Sequence, residues 1–458
     1  MVRFLYDRDP RSLFLMKGYA GTGKTSLVSA LIQTLPRLRV NTVLLAPTGR
    51  AAKVISGYSG RAAYTIHKKI YMTATDATGV VRTVRGINKH TYTLFIVDEA
   101  SMIGLEPTAS RQSLLEDLIE YVYSGNHCRL MLIGDTAQLP PVGQSESPAL
   151  DERYLAASFS LNIIACELTE VVRQQQLSGI LAGATALRDQ IASLDEGDEA
   201  SLPLFDLEGY DDVVRLQGED LMETLYREYD DFSLEQVVVV CRSNKRANLF
   251  NQGVRGSVLF REEEVNAGDY LMVVKNNYHW TEKKEEEGIT KEEEGLSFLA
   301  NGDRMRVHRV RNVHELYGFT FADAWLVFPD YDDYELEATV LLDTLQSEAP
   351  ALTREQSEQL FNAVMEDYAD VPLKSERMKQ LRNDRYFNAL QIKYAYAVTC
   401  HKAQGGQWAH VYVDQGYMTD DMLSPDYIHW LYTAFTRATE QLFLVNWPKT
   451  QIAESNEG

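Results

Sequence analysis

Only four cysteines occur in the 458 residues (Cys128, Cys166, Cys241 and Cys400), and no two form a C-x-x-C pair. That leaves neither a zinc knuckle nor a disulfide framework to hold the fold. No run of about 18 apolar residues is present, and the N-terminus has no apolar segment of the signal-peptide kind. A soluble, cytoplasmic protein with no membrane partner is expected. Positive charge is also scarce, with 45 Lys and Arg against 66 Asp and Glu, a net −21. This balance argues against broad wrapping of nucleic acid by a basic face. It still permits a narrow channel, which needs only a local basic or polar lining. Residues 281–294 hold seven Glu against three Lys, and residues 329–337 are acidic; both read as solvated loops. No repeat of 20–50 residues marks a solenoid.

Apolar residues make up 45% of the chain, enough for a sizeable core. The length allows two or three domains. Short apolar runs at 13–16, 42–45, 94–97 and 129–133 alternate with helical patterns, as in a parallel sheet with crossover helices. Residues 71–90, rich in Thr, Val and Arg around Gly79, read as a hairpin inserted into this first domain. A second α/β region is expected from near Leu161, with its clearest strand at 236–241. Residues 273–310 read as short strands around the charged loop. Residues 350–388 are polar with a helical pattern, and strand signals return at 394–405, 411–413 and 442–445.

The run Gly18-Tyr19-Ala20-Gly21-Thr22-Gly23-Lys24-Thr25 follows the first apolar run and opens a helical pattern. This is G-x-x-x-x-G-K-[ST] in its strand–loop–helix setting. Glycines let backbone N–H groups turn toward phosphate oxygens, and the helix start adds its positive end. Lys24 can reach the β- and γ-phosphates, and the Thr25 hydroxyl can hold Mg²⁺. The chain is therefore expected to bind a nucleoside triphosphate.

Asp98 and Glu99 end the third apolar run, where ligands bind in open α/β sheets. Asp98 is placed to hold Mg²⁺ opposite Thr25, and Glu99 to orient or deprotonate the attacking water. A further strand end carries Gly134-Asp135-Thr136-Ala137-Gln138-Leu139-Pro140-Pro141. Gln138 has both donor and acceptor and suits a γ-phosphate sensor, while the prolines stiffen the exit. Arg173 and Arg437 are candidates to stabilise phosphoryl charge from another domain.

The ordered set GYAGTGKT, APTGRAA, TIHK, VDEAS, GDTAQLPPVG, ELTEVVRQ, VTCHKAQG and YTAFTRA resembles the superfamily 1 helicases, specifically the RecD-like and Dda-like 5′→3′ branch, superfamily 1B. It spans Gly18 to about Val445. The resemblance implies an α/β fold of two tandem RecA-like P-loop NTPase domains, with an inserted β-hairpin pin and a small accessory β subdomain. The implied division is domain 1A at 1–150 with the pin at 68–92, domain 2A at 151–306 and 389–458, and subdomain 2B at 307–388. ATP and Mg²⁺ would sit in the cleft between Gly18, Ala20, Gly21, Thr22, Gly23, Lys24, Thr25, Asp98, Glu99 and Gln138 on one side and Arg173, Arg437, Gln404 and Gly405 on the other. Single-stranded DNA would touch Thr48, Arg50, His67, Thr399, His401 and Lys402. Asn277 and Tyr278, with Asn276 and Trp280, would stack on bases, each worth roughly 1–3 kcal/mol.

The resemblance implies an ATP-dependent helicase acting at duplex junctions in DNA repair, recombination or replication. Alternatives are the motor subunit of an exonuclease V-type complex and an ATP-dependent DNA-binding switch. The sequence shows no nuclease carboxylate–lysine constellation, so a nuclease would come from a partner subunit. One departure stands out. The family's upstream helix with an adenine-reading Gln has no counterpart in the twelve residues before Leu13, none of which is Gln. Base recognition is expected to be weakened, or the reading frame to begin further upstream.

Overall fold

The first apolar run becomes β1 (Ser12–Gly18), whose residues alternate between two hydrophobic clusters. Leu13 and Leu15 pack on one face with Leu45, Phe95 and Leu132, and Phe14 and Met16 on the other with Leu44, Ile96 and Ile133. A strand buried on both faces reads as a continuous apolar run and belongs inside a parallel sheet. The computed structural model describes residues 1–75, 81–107, 112–170, 178–193, 201–281, 299–418 and 422–453.

The first sheet adds β2 (Asn41–Ala46) and β3 (Ala63–Thr65). The inserted hairpin follows as β4 (Tyr71–Thr75) and β5 (Val81–Arg85), antiparallel, with Tyr71 opposite Arg85. Then come β6 (Thr93–Val97), β7 (Arg129–Gly134) and β8 (Asn162–Leu168). The six sheet strands run in the order β3-β2-β6-β7-β1-β8, all parallel. The hairpin is tied down at its base, where Tyr71 Oη donates to Asp117 Oδ2 at 2.6 Å and Arg85 pairs with the same carboxylate at 3.3 Å. Asp117 is buried on the helix Leu114–Ser124, itself started by a Ser113/Glu116 capping box.

The second sheet contains β9 (Val213–Leu216) and β10 (Val237–Cys241). The chain then leaves it to close a barrel from β11 (Tyr270–Val273), β12 (Arg304–Leu316), β13 (Phe319–Phe328), β14 (Tyr334–Leu341) and β15 (Leu390–Tyr394). Helices Arg354–Asp367 and Lys374–Asn383 lie between β14 and β15 and share a small core with Phe319 and Phe321 of β13 and Leu341 of β14. The chain returns as β16 (Ala397–Thr399), β17 (Trp408–Asp414) and β18 (Ala438–Val445), in the parallel order β16-β10-β17-β18-β9. One hydrophobic cluster runs through this sheet and the barrel.

Two expected boundaries move. Asn162–Leu168 pairs along its whole length with β1, so residues beyond 150 still build the first sheet, and no second α/β region starts at Leu161. The accessory unit also begins before residue 307, because β11 and the first residues of β12 are needed to close the barrel. Pairing partners far apart in sequence, not local pattern, set both limits. The acidic stretch from 282 lies outside the described residues, as does the hairpin's tip. Among the described residues, no helix is long and apolar enough to cross a membrane.

Candidate nucleotide cleft and strand face

The phosphate loop leaves β1 and ends at Gly23, whose φ of 82° is a left-handed conformation open to glycine. Gly23 caps the helix Lys24–Thr34, so Lys24 and Thr25 open its first turn, where free N–H groups and the helix dipole favour an anion. Lys24 Nζ lies against the Gly18 carbonyl, 3.0 Å from Tyr19 O and 3.5 Å from Asp135 Oδ2. Thr22 is buried, and its hydroxyl donates to Tyr19 O.

β6 and β7 deliver the carboxylates from neighbouring positions in the sheet. Asp98 Oδ1 accepts the Glu99 N–H at 2.9 Å, and Oδ2 accepts the Tyr58 hydroxyl at 2.7 Å. Glu99 has a φ of 53°, a left-handed backbone costing about 1–2 kcal/mol for a residue with a Cβ. Desolvation raises its carboxyl pKa; the Arg437 charge opposes this and Asp98 adds to it. A carboxylate shifted upward suits a proton acceptor working near neutral pH. Asp135 is buried and holds the Ala137 N–H at 3.0 Å.

The second domain closes the cleft. Arg437, 3% exposed, follows the helix Pro425–Phe435 and donates to Thr433 O, Gly406 O and Thr436 Oγ1. It lines one cavity of about 500 Å³ with Gly21, Gly23, Lys24, Thr25, Asp98, Glu99 and Gln138. A larger cavity of about 800 Å³ adjoins this one across Asp135 and Gln138 but lacks Lys24, Asp98 and Glu99, and with them the phosphate chemistry. The Thr25 hydroxyl and Asp98 carboxylate are hard oxygen donors on one cleft. Mg²⁺ takes such a partial set and completes it with water and phosphate oxygens. Among the described residues, no group of three or more His, Cys, Asp or Glu could hold a metal ion.

Several expected site residues stand elsewhere. Gln404 is absent from the cleft lining; its amide donates to Leu139 O at 2.6 Å and braces the loop that carries Gln138. Gly405 packs against Ala51 and Thr48 rather than on nucleotide. Arg173 lies outside the described residues. Sequence reasoning missed Tyr58 and gave Asp135 and Tyr432 no role. Asp135 had a signal, its place at a strand end, and Tyr432 opens the YTAFTRA motif; Tyr58 had none, since only the fold brings it to a carboxylate.

The strand candidates divide. Gly405 and Gly406 of the second domain come against Thr48, Arg50 and Ala51 of the first. Thr48 caps the helix Gly49–Ser59. His401 is exposed, and Lys402 bonds Asn301 with its pKa lowered to about 8 by burial and by Lys393. Arg50 is already engaged: it stacks on Trp408 at 4.2 Å, donates to Gln407 O at 2.6 Å and lies 3.9 Å from Asp330. His67 packs against Tyr71 at the hairpin base. Asn277 and Trp280 both donate to Asn388 O, and Tyr278 shares a small pocket with Leu360 and Phe387. These bonds tie the polar edges of Asn277 and Trp280 to the connection before β15 and do not engage the indole face.

A glycine-rich phosphate loop, paired carboxylates on adjacent strand ends and an arginine from a second parallel sheet define a P-loop nucleoside triphosphatase of two RecA-like domains. A family model described as an AAA domain matches residues 7–202, and one described as a UvrD-like helicase C-terminal domain matches residues 394–445. The chain is 28% identical over 315 residues to the ATP-dependent RecD2 DNA helicase of Deinococcus radiodurans, covering 67% of this chain and 39% of that protein. It is 24% identical over 436 residues to the ATP-dependent DNA helicase Pif1 of Psychrobacter sp. (strain PRwf-1), covering 86% and 60%. The chain thus spans less than two thirds of the length of either relative. A solved structure of Pif1 helicase from Bacteroides, in complex with ADP-AlF3 and ssDNA, aligns over 98% of this chain and 92% of that one, at a TM-score of 0.45 and 14% identity. Both family-model matches and both relatives support a likeness of this chain to the superfamily 1B helicases, the RecD-like and Pif1-like branch.

Proposed function

We propose that this chain is a motor that hydrolyses ATP with Mg²⁺ to move 5′→3′ along single-stranded DNA and to part duplexes at junctions, in DNA repair, recombination or replication. One observation carries the reading: Arg437 of the second domain shares a cavity with Lys24, Asp98 and Glu99 of the first. A triphosphate in that cavity would touch both domains, so its hydrolysis would change how they hold each other.

In this scheme Lys24 gives up its carbonyl contacts and turns to the β- and γ-phosphates. Thr25 and Asp98 hold Mg²⁺, which when bound neutralises phosphate charge. Glu99 takes the proton of the attacking water, and Gln138, whose Oε1 has no hydrogen-bond partner among the described residues, senses the γ-phosphate or that water. Arg437, and Arg173 by family likeness, stabilise charge on the transferred group. Thr48, Arg50, Thr399, His401 and Lys402 line the strand path, Arg50 after exchanging Asp330 for a phosphate. The work is placed in the cytoplasm, and any strand cleavage in separate nuclease or repair-complex subunits.

Stopped-flow ATPase and strand-displacement assays test this on Lys24→Ala, Glu99→Gln and Arg437→Ala. Lys24→Ala should abolish turnover without unfolding the chain. Glu99→Gln should keep ATP binding and lose hydrolysis, and Arg437→Ala should slow hydrolysis on the order of 10³-fold with little change in affinity. Parent-like ATPase in all three refutes the cleft assignment.

A further inference from the structure

Tyr432 lies on the helix Pro425–Phe435 of the second domain and is 1% exposed. Its hydroxyl serves two groups of the first domain. It donates to Asp135 Oδ2 at 2.6 Å and accepts the Ala20 N–H of the phosphate loop at 2.8 Å. The same Asp135 oxygen lies 3.5 Å from Lys24 Nζ. Burial, with the Asp135 charge next, pushes the phenol well above its ordinary range, so it stays a donor at any working pH. Two further bonds cross beside it: Leu139 N–H donates to Thr433 Oγ1 at 2.8 Å, and His429 Nδ1 meets Ala137 O at 2.8 Å. Among these three residues, only Tyr432 reaches the phosphate loop itself.

The consequence follows along the helix. Five residues after Tyr432 the chain reaches Arg437, whose guanidinium is held by Thr433 O within that helix and by Gly406 O. Arg437 therefore has little freedom of its own, and where it stands over the cleft depends on how the helix is seated. We infer that Tyr432 is a positioning residue that seats the Arg437 helix on the phosphate loop, so that the arginine meets the transferred phosphoryl group. This rests on the triphosphatase reading above. Phe at position 432 keeps the ring and its packing and removes only the hydroxyl.

The test compares Tyr432→Phe, Arg437→Ala and the double variant. Tyr432→Phe should lower DNA-stimulated kcat about tenfold or more, as expected for a lost hydrogen bond to a charged group. The Kd for ATP should stay within about twofold, a kcat effect that general loosening of the site does not give. In the Arg437→Ala background the Phe substitution should cost nothing further, because its effect runs through the arginine. Multiplying losses overturn the inference. A second readout needs no turnover: amide exchange at Ala20 and across residues 425–435 should quicken in Tyr432→Phe. Parent-like exchange there shows that the hydroxyl does not seat the helix and overturns the inference too. A parent protein without ATPase activity sinks the functional reading, and the exchange comparison still decides the seating.

Discussion

Tyr58 closes the helix Gly49–Ser59, whose other end presents Thr48 and Arg50, and its hydroxyl holds Asp98 at 2.7 Å. One rigid helix thus runs from the strand face to the carboxylate expected to hold Mg²⁺. Burial first, and the Asp98 charge next, raise the Tyr58 pKa far above its ordinary range, so the phenol remains a donor. Tyr58→Phe leaves Asp98 Oδ2 without that donor while the Glu99 N–H still holds Oδ1. The Mg²⁺ concentration giving half-maximal ATPase activity should rise about tenfold, in line with one lost charge-assisted bond. An unchanged Mg²⁺ titration would show that Tyr58 supports only packing. Glu99 and Lys24 were legible at this scale because their chemistry is written in a local motif. Tyr58 was not, because forty residues separate it from Asp98.

Between elements, the same helix meets the barrel. A Cβ at Gly49 would fall 2.0 Å from Tyr331 Oη and 2.5 Å from Asp303 Oδ1, so glycine is required by close approach. Gly49→Ala should destabilise the protein by about 1–3 kcal/mol, the usual range for overpacking, read as a lower urea midpoint. Asp303 accepts from Tyr331 Oη at 2.8 Å and from the Ala300 N–H at 2.6 Å, yet burial, the largest cause, raises its pKa from 3.8 to about 7. Between those values the native state binds the extra proton. Its contribution to stability should therefore fall as pH rises from about 4 to about 7, by at most about 1.4 kcal/mol per unit, and level off above. Asp303→Asn should remove that slope from urea titrations at pH 5 and pH 7. A slope kept in the variant assigns the effect to other groups. The strands of this region were hard to read beforehand because barrel strands as short as Tyr270–Val273 owe their place to distant partners.

For the whole molecule, the hairpin and the cleft are separate parts. Among the described residues β4 and β5 pair only with each other, and their base is anchored on Asp117, which does not line the cleft. Replacing residues 71–85 with a short linker should spare DNA-stimulated ATPase activity and abolish strand separation on a duplex with a 5′ tail. Loss of both activities would place the hairpin within the motor. Unwinding from a 3′ tail alone would contradict the polarity. DNA affinity should fall only shallowly with salt, since a chain of net charge −21 with a narrow path neutralises few phosphates.

Local order along the chain was enough to determine the phosphate loop, the acidic strand end and the parallel strands around them. The inner strands of such a sheet are buried on both faces and so read as continuous apolar runs, and the loop's glycines and lysine act within eight consecutive residues. Tertiary structure decided the rest. It assigned β8 to the first sheet, closed the barrel with β11, turned Gln404 from nucleotide to the Leu139 carbonyl, and engaged Arg50 with Trp408 and Asp330. Each of these depends on groups far apart in sequence, and the last two on a meeting across a domain boundary. No local period or spacing records such a meeting, because the energy that selects it exists only once both surfaces are folded.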